Sequence, residues 1–128
     1  MNENKLVIVI KKPIQEVFEF TTNPKNTHLW IPSIDEEIAE EYPPKIGTTY
    51  KNRRTNSNWN EYKVVEFEPN KLFTLTEKDD NYSVKYIYRK IDDTTTKLIY
   101  FELVKDGELE QPFTQEIFNG LKQIMEQE

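Results

Sequence analysis

The sequence predicts an α+β protein: one strand, two short helices, a long antiparallel meander and a closing helix. Three observations carry this. Between residues 47 and 105, short runs of period-two apolar alternation are separated by turn formers. Residues 113 to 125 place apolar side chains at helical spacing. Residues 13 to 32 are broken into short helical pieces by Pro24 and Pro32. At 128 residues the chain suits one domain, 1–128, and is short for two.

The elements follow in order. Leu6, Ile8 and Ile10 share one face of a strand over 5–12. Pro13 suits a first helical turn, and Ile14, Val17 and Phe18 recur at i, i+3, i+4. That helix ends near Thr21-Thr22-Asn23, and Pro24 opens a second short one with Leu29 and Trp30 near its end. Ile34, Ile38 and Tyr42 suit a helix or a strand, and Pro43-Pro44 stops either. Strand-like runs then cover 47–55, 58–68, 71–78, 82–91 and 94–105. Asn56-Ser57, Pro69-Asn70, Asp79-Asp80-Asn81 and Asp92-Asp93 separate them as turn formers. The last helix opens at Gln111-Pro112 and carries Phe113, Ile117, Phe118, Leu121, Ile124 and Met125 as its stripe.

Counting back from each turn gives a register. A two-residue loop at Asp92-Asp93 pairs Tyr86 with Ile99 and Val84 with Phe101. A four-residue loop at 78–81 pairs Leu75 with Val84 and Phe73 with Tyr86. A three-residue loop at 69–71 pairs Val65 with Leu75 and Phe67 with Phe73. Ser83, Lys85, Arg89, Thr96 and Glu102 then fall on the opposite, polar face.

Composition narrows the function. The net charge is -6, and the one basic cluster, Lys51-Asn52-Arg53-Arg54, is short, so no nucleic-acid surface is expected. Three glycines cannot build a phosphate loop, and the absence of cysteine excludes disulfides and thiolate sites. The start, MNENKLVIVIKK, lacks the apolar core of a signal peptide, and no run reaches the roughly 20 apolar residues of a membrane span. A cytoplasmic protein without membrane insertion is expected, as a monomer or weak dimer.

The element order and several local patterns resemble the START-like, or SRPBCC, superfamily, in its polyketide cyclase/dehydrase-like branch. Pro13, Val17, Phe18 and Phe20 match the opening pattern "I-x-A-P-x-E-V-W-x-x-[FLI]". Asn23-Pro24, Trp30 and Pro32 are similar to "D-P-x-x-x-x-x-W-x-P". "IGTTY" at 46–50 and "VVEFEPNKLFTL" at 64–75 resemble "x-G-x-x-[WFY]" and "V-x-E-x-x-P-P-x-x-L-x-[FWY]". Thr95-Thr96-Lys97-Leu98 matches "x-T-x-[LV]", and Leu121-Lys122 falls where the last helix carries "LK". Two departures stand out: Gln15 replaces a usual acidic residue, and the last helix is short, which could leave one end of the cavity open. The resemblance implies a helix-grip fold, a curved antiparallel sheet wrapped around the C-terminal helix. It implies a protein holding a small hydrophobic, aromatic or amphipathic ligand between the two. The alternatives are a metal-free cyclase, aromatase or dehydratase, and a protein-interaction module of the chaperone-activator kind.

Candidate residues follow, each with a plainer reading beside it. Tyr50, Tyr86, Tyr88 and Phe101 line a pocket or form an aromatic core. Phe113, Ile117 and Leu121 of the last helix face Tyr86, Phe101 and Trp59. Trp30 either plugs the end of the sheet or touches ligand. The register that turns Val65 and Phe67 inward also turns in Trp59, Glu61 and Lys63 unless a bulge intervenes, with Lys63 opposite Glu77 as a polar anchor. His28 is a rim residue or the one catalytic candidate, a proton donor to ligand. With one His and no Cys, no metal and no cofactor are expected. The run Asp35-Glu36-Glu37, with Glu40-Glu41, reads as a solvated face, and no nucleophile elbow is present.

Overall fold

The computed structural model describes residues 2–127. All seven strands join one antiparallel sheet in the order β1-β7-β6-β5-β4-β3-β2. The strands are β1 (Glu3–Ile10), β2 (Glu36–Ala39), β3 (Thr49–Arg53), β4 (Trp59–Glu68), β5 (Leu72–Glu77), β6 (Tyr82–Asp92) and β7 (Thr95–Val104). Helix α1 (Ile14–Thr22), a 3-10 turn (Pro24–Asn26) and α2 (Thr27–Trp30) lie between β1 and β2, and α3 (Gln115–Glu126) closes the chain. The ambiguous stretch from 34 to 42 is therefore a strand, β2, at the sheet's edge.

The chain's local chemistry accounts for the helical corner. As α1 ends, Thr21 and Thr22 donate their hydroxyls back to the carbonyls of Val17 and Phe18 at 2.9 and 2.8 Å. Asn23 accepts from the Lys25 N–H at 3.0 Å, which starts the 3-10 turn beside Pro24. Trp30 is buried at the end of α2, its ring 5.3 Å from that of Phe118 in α3.

The inner face of the sheet carries the core. Ile10, Val64, Phe73, Tyr86, Tyr88 and Leu98 are buried with Phe118, Leu121 and Met125 of α3. Full burial of a Leu or Phe side chain contributes about 1.5–3 kcal/mol, so this layer holds helix to sheet. Helix α3 starts later than its turn signal suggests. Thr114 is its N-cap, accepting from the Ile117 N–H at 3.4 Å, which leaves Phe113 ahead of the helix. Side chains of α3 also reach the free edge of β1. Gln115 Nε2 donates to the Val7 carbonyl at 3.1 Å, and Lys122 Nζ to the Val9 carbonyl at 2.7 Å.

Two expected registers differ. In β6–β7 the turn comes one residue later, with Asp92 opposite Thr95, and a bulge at Ile91 takes only part of the shift back. Tyr86 therefore faces Tyr100 and Val84 faces Glu102, not Ile99 and Phe101. A one-residue shift turns every β7 side chain over, so Glu102 points inward and Phe101 outward. In β4–β5 the expected Phe67–Phe73 pair forms, but a bulge between Val64 and Glu66 places Val64 opposite Leu75. Tyr62 then faces Glu77, and Trp59, Glu61 and Lys63 turn to the outer face. The β5–β6 pairs, Leu75 with Val84 and Phe73 with Tyr86, are as expected.

Candidate functional site

Edge strand β2 is amphipathic in the reverse sense. Ile38 is 47% exposed, while Glu37 turns inward opposite Asn52 of β3. Alternation leaves Glu36 outside, where it meets Arg53 at 3.5 Å. The Glu37 carboxylate accepts from the Thr27 hydroxyl at 2.5 Å and from Asn52 Nδ2 at 3.1 Å. Burial pushes its carboxyl above the usual carboxylate range, and these two hydrogen bonds offset part of that. Among the described residues no ion pair reaches it.

Glu37 borders a small chamber between the sheet and the helical corner. Thr27, Trp30 and Ile34 form one side, and Asn52, Tyr62, Phe73 and Leu75 another. Val84, Tyr86, Tyr100 and Phe113 complete it. The chamber gives a water-sized sphere about 60 Å³ to move in. A single water needs roughly 10–15 Å³ on this measure, so there is room for several waters or one small organic group. Trp30 Nε1 is buried without a hydrogen-bond partner among the described residues. Burial also raises the phenols of Tyr86, Tyr100 and Tyr62, the last to about 12, so all stay protonated at neutral pH.

Arg54, Tyr62 and Tyr82 border both this chamber and a wider, polar hollow of about 660 Å³ at the end of the sheet. Residues 106–111 overhang that hollow, and Arg54 Nη1 donates to Gln111 Oε1 at 3.0 Å across it. The overhang is anchored by Glu102, which is 1% exposed. Its Oε1 accepts from the Phe113 N–H at 2.6 Å and Asn4 Nδ2 at 2.8 Å, and its Oε2 from the Tyr82 hydroxyl at 2.6 Å. Its three donors tie β1, β6 and the segment ahead of α3 to this one carboxylate.

The residues singled out in the sequence separate into three groups. Trp30, Tyr86 and Phe113 border the chamber. Tyr50, Tyr88 and Leu121 are core: the Tyr50 hydroxyl donates to the Thr22 carbonyl at 2.8 Å, and that of Tyr88 lies 2.6 Å from Thr21 Oγ1. Ile117 packs half-buried against that core. Trp59, Lys63 and Phe101 are on the outer face, because the two bulges reverse their strands. Trp59 stacks there against Arg53, 5.4 Å from its ring centre. His28 is exposed on α2 and does not border the chamber.

Glu37, Asn52, Tyr62 and Tyr100 were not legible as site residues. The signal for Glu37 was present in one form only, a strand carrying Glu and Ala on one face and Glu and Ile on the other. Among the described residues, no three His, Asp or Glu side chains gather as metal ligands. No helix there is long and apolar enough to cross a membrane.

No family model matches the chain, and no curated protein matches it in sequence. Solved structures match in shape. A START superfamily protein from Mycobacterium smegmatis superposes with a TM-score of 0.75 at 11% identity, over 99% of each chain. The Aha1 dimer from Colwellia psychrerythraea gives 0.70 at 16% identity, over 99% of this chain and 98% of that one. The di-domain ARO/CYC BexL from the BE-7585A biosynthetic pathway gives 0.62 at 15% identity, over 81% of this chain and 36% of that one. At such identities the likeness is one of fold. A curved seven-stranded antiparallel sheet, two short helices after its first strand and a closing C-terminal helix make up the START-like helix-grip fold, and this chain has it.

Proposed function

We propose that the protein binds a small amphipathic molecule between the sheet and its helical cover. The observation that supports this is the chamber itself: aromatic walls, one inward carboxyl without an ion-pair partner, and a shared border with a wider polar hollow. Burying Glu37 costs stability, and its hydrogen bonds with Thr27 and Asn52 offset only part of that cost. The small inner volume suits one end of a ligand, with the remainder in the outer hollow. Native mass spectrometry of protein purified from its own host tests this, by a co-purified mass. A thermal-shift screen of small aromatics, lipids and polyketide-like compounds tests it independently. Ligand at about 100 times its Kd should stabilise the protein by about 2.7 kcal/mol. No retained mass and no shift from any compound would remove this reading.

One feature favours a catalytic alternative. Glu37 is a carboxyl of raised pKa beside tyrosine hydroxyls, the equipment of a general acid or base in a dehydration or cyclisation. Under that reading Glu37, not His28, moves the proton, and Glu37→Gln abolishes turnover without abolishing binding.

A further inference from the structure

We propose that the inner chamber takes the ammonium end of a small organic amine, held by Glu37 and by the faces of the surrounding aromatic rings. The inference deepens the binding function proposed above and rests on it. Three observations support it.

The first is the wall. Trp30, Tyr62, Phe73, Tyr86, Tyr100 and Phe113 all border one chamber. Trp30 meets Tyr86 at 6.5 Å and 80° and Tyr86 meets Tyr100 at 5.1 Å and 68°, while Phe73 lies at 35° to Tyr86 and Phe113 stacks on Tyr100 at 16°, so edge-on and stacked rings together make the wall. Rings set in this way enclose a space, and their negative faces attract a cation, most strongly where water is excluded.

The second is the charge. Among the described residues Glu37 receives only a hydroxyl and an amide, which leaves lone pairs on its two oxygens and no cation beside its charge. Nothing in the aromatic wall can supply a cation. Arg54 borders the chamber too, but its guanidinium bonds Gln111 at the outer hollow. The third is size. About 60 Å³ on this measure admits several waters or one small organic group. An ammonium on a short alkyl stem fits, with any larger portion lying toward Arg54, Tyr62 and Tyr82.

The pH response has a definite sign. Only the ionised carboxyl attracts the cation, so affinity should rise as pH climbs through the raised pKa of Glu37, with proton release on binding. Titratable and charged groups facing Glu37 from neighbouring elements are Tyr50 and Arg54 of the β3 segment, Tyr62 of β4 and Tyr86 of β6. Lys25 and His28, on the turn and helix packed against β2, are exposed.

The test uses Trp30 as reporter. The chain has two tryptophans, and Trp59 lies on the outer face, so Trp59→Phe leaves Trp30 as the only one. Its fluorescence is titrated with n-butylamine, n-butanol and butyrate, matched in shape. The amine should bind about tenfold or more tightly than the alcohol, with butyrate weakest. Adding Glu37→Gln to this background should bring amine and alcohol within about twofold, and circular dichroism confirms that it folds. Equal binding of amine and alcohol, or a preference that survives Glu37→Gln, overturns the ammonium assignment and leaves the binding pocket standing. Failure of all three probes, together with an empty thermal-shift screen, overturns both.

Discussion

Glu102, near the end of β7, accepts the backbone N–H of Phe113 at 2.6 Å and thereby pins the segment ahead of α3 to the inner face of the sheet. The same carboxylate satisfies Asn4 and Tyr82. Glu102→Ala would strand the Phe113 N–H and the Tyr82 hydroxyl, at roughly 1–3 kcal/mol for each one left unsatisfied, while Asn4 Nδ2 keeps its bond to the Phe113 carbonyl at 2.9 Å. Urea denaturation should show a loss of at least about 2 kcal/mol, against less than about 0.5 kcal/mol for exposed Glu110→Ala. Equal midpoints for the two variants would contradict the anchoring role.

The closing helix should respond unevenly to truncation. Leu121 is wholly buried, and Leu121→Ala should cost about 2–5 kcal/mol through the cavity it leaves. Ile117 is only half-buried, and Ile117→Ala should cost less than half as much. Thermal melts of both variants decide it. Similar losses would mean that the helix packs uniformly along its length.

Glu37 should leave a signature in stability against pH. Its folded-state pKa is raised above the usual 4.5, so the native state holds its proton more tightly than the unfolded chain. Its contribution to stability is therefore fully present below about pH 4.5 and is lost as pH rises through the folded value. The wild type should gain on Glu37→Gln as pH falls, since other titrating groups cancel in the difference. Parallel Tm-against-pH curves for the two proteins would exclude a perturbed Glu37.

Trp59, Lys63 and Phe101 should be dispensable to the chamber. Trp59→Ala removes a surface stack on Arg53 worth about 0.5–1 kcal/mol and should leave ligand affinity unchanged. A tenfold loss of affinity in this variant would place the indole inside after all.

The sequence showed the elements more clearly than their faces. Period-two runs and turn formers are local, so β3 to β7 could be read within a few residues of their ends. Inward or outward orientation depends on a count, and a single bulge inverts it. The bulges near Val65 and at Ile91 leave no composition mark, and they exchanged Phe101 for Tyr100 and Lys63 for Tyr62. Tyr86 remained on the inner side because no irregularity intervenes between Phe73 and Tyr86. Glu37 was hidden by its neighbours: within Asp35-Glu36-Glu37 only pairing to Asn52 reveals which carboxyl turns inward.

Gln115 and Lys122 occupy the carbonyls of Val7 and Val9, the groups through which β1 could otherwise accept a foreign strand. The last twelve-residue helix is therefore also a stopper against sheet extension. Should it peel away, the chain would present an unblocked edge bearing Val7 and Val9, together with the apolar surface that Phe118 and Leu121 had covered. Such a species can recruit copies of itself into stacked assemblies. Resistance to self-assembly in this fold thus depends on how rarely its final helix undocks, a rate that global stability alone does not report.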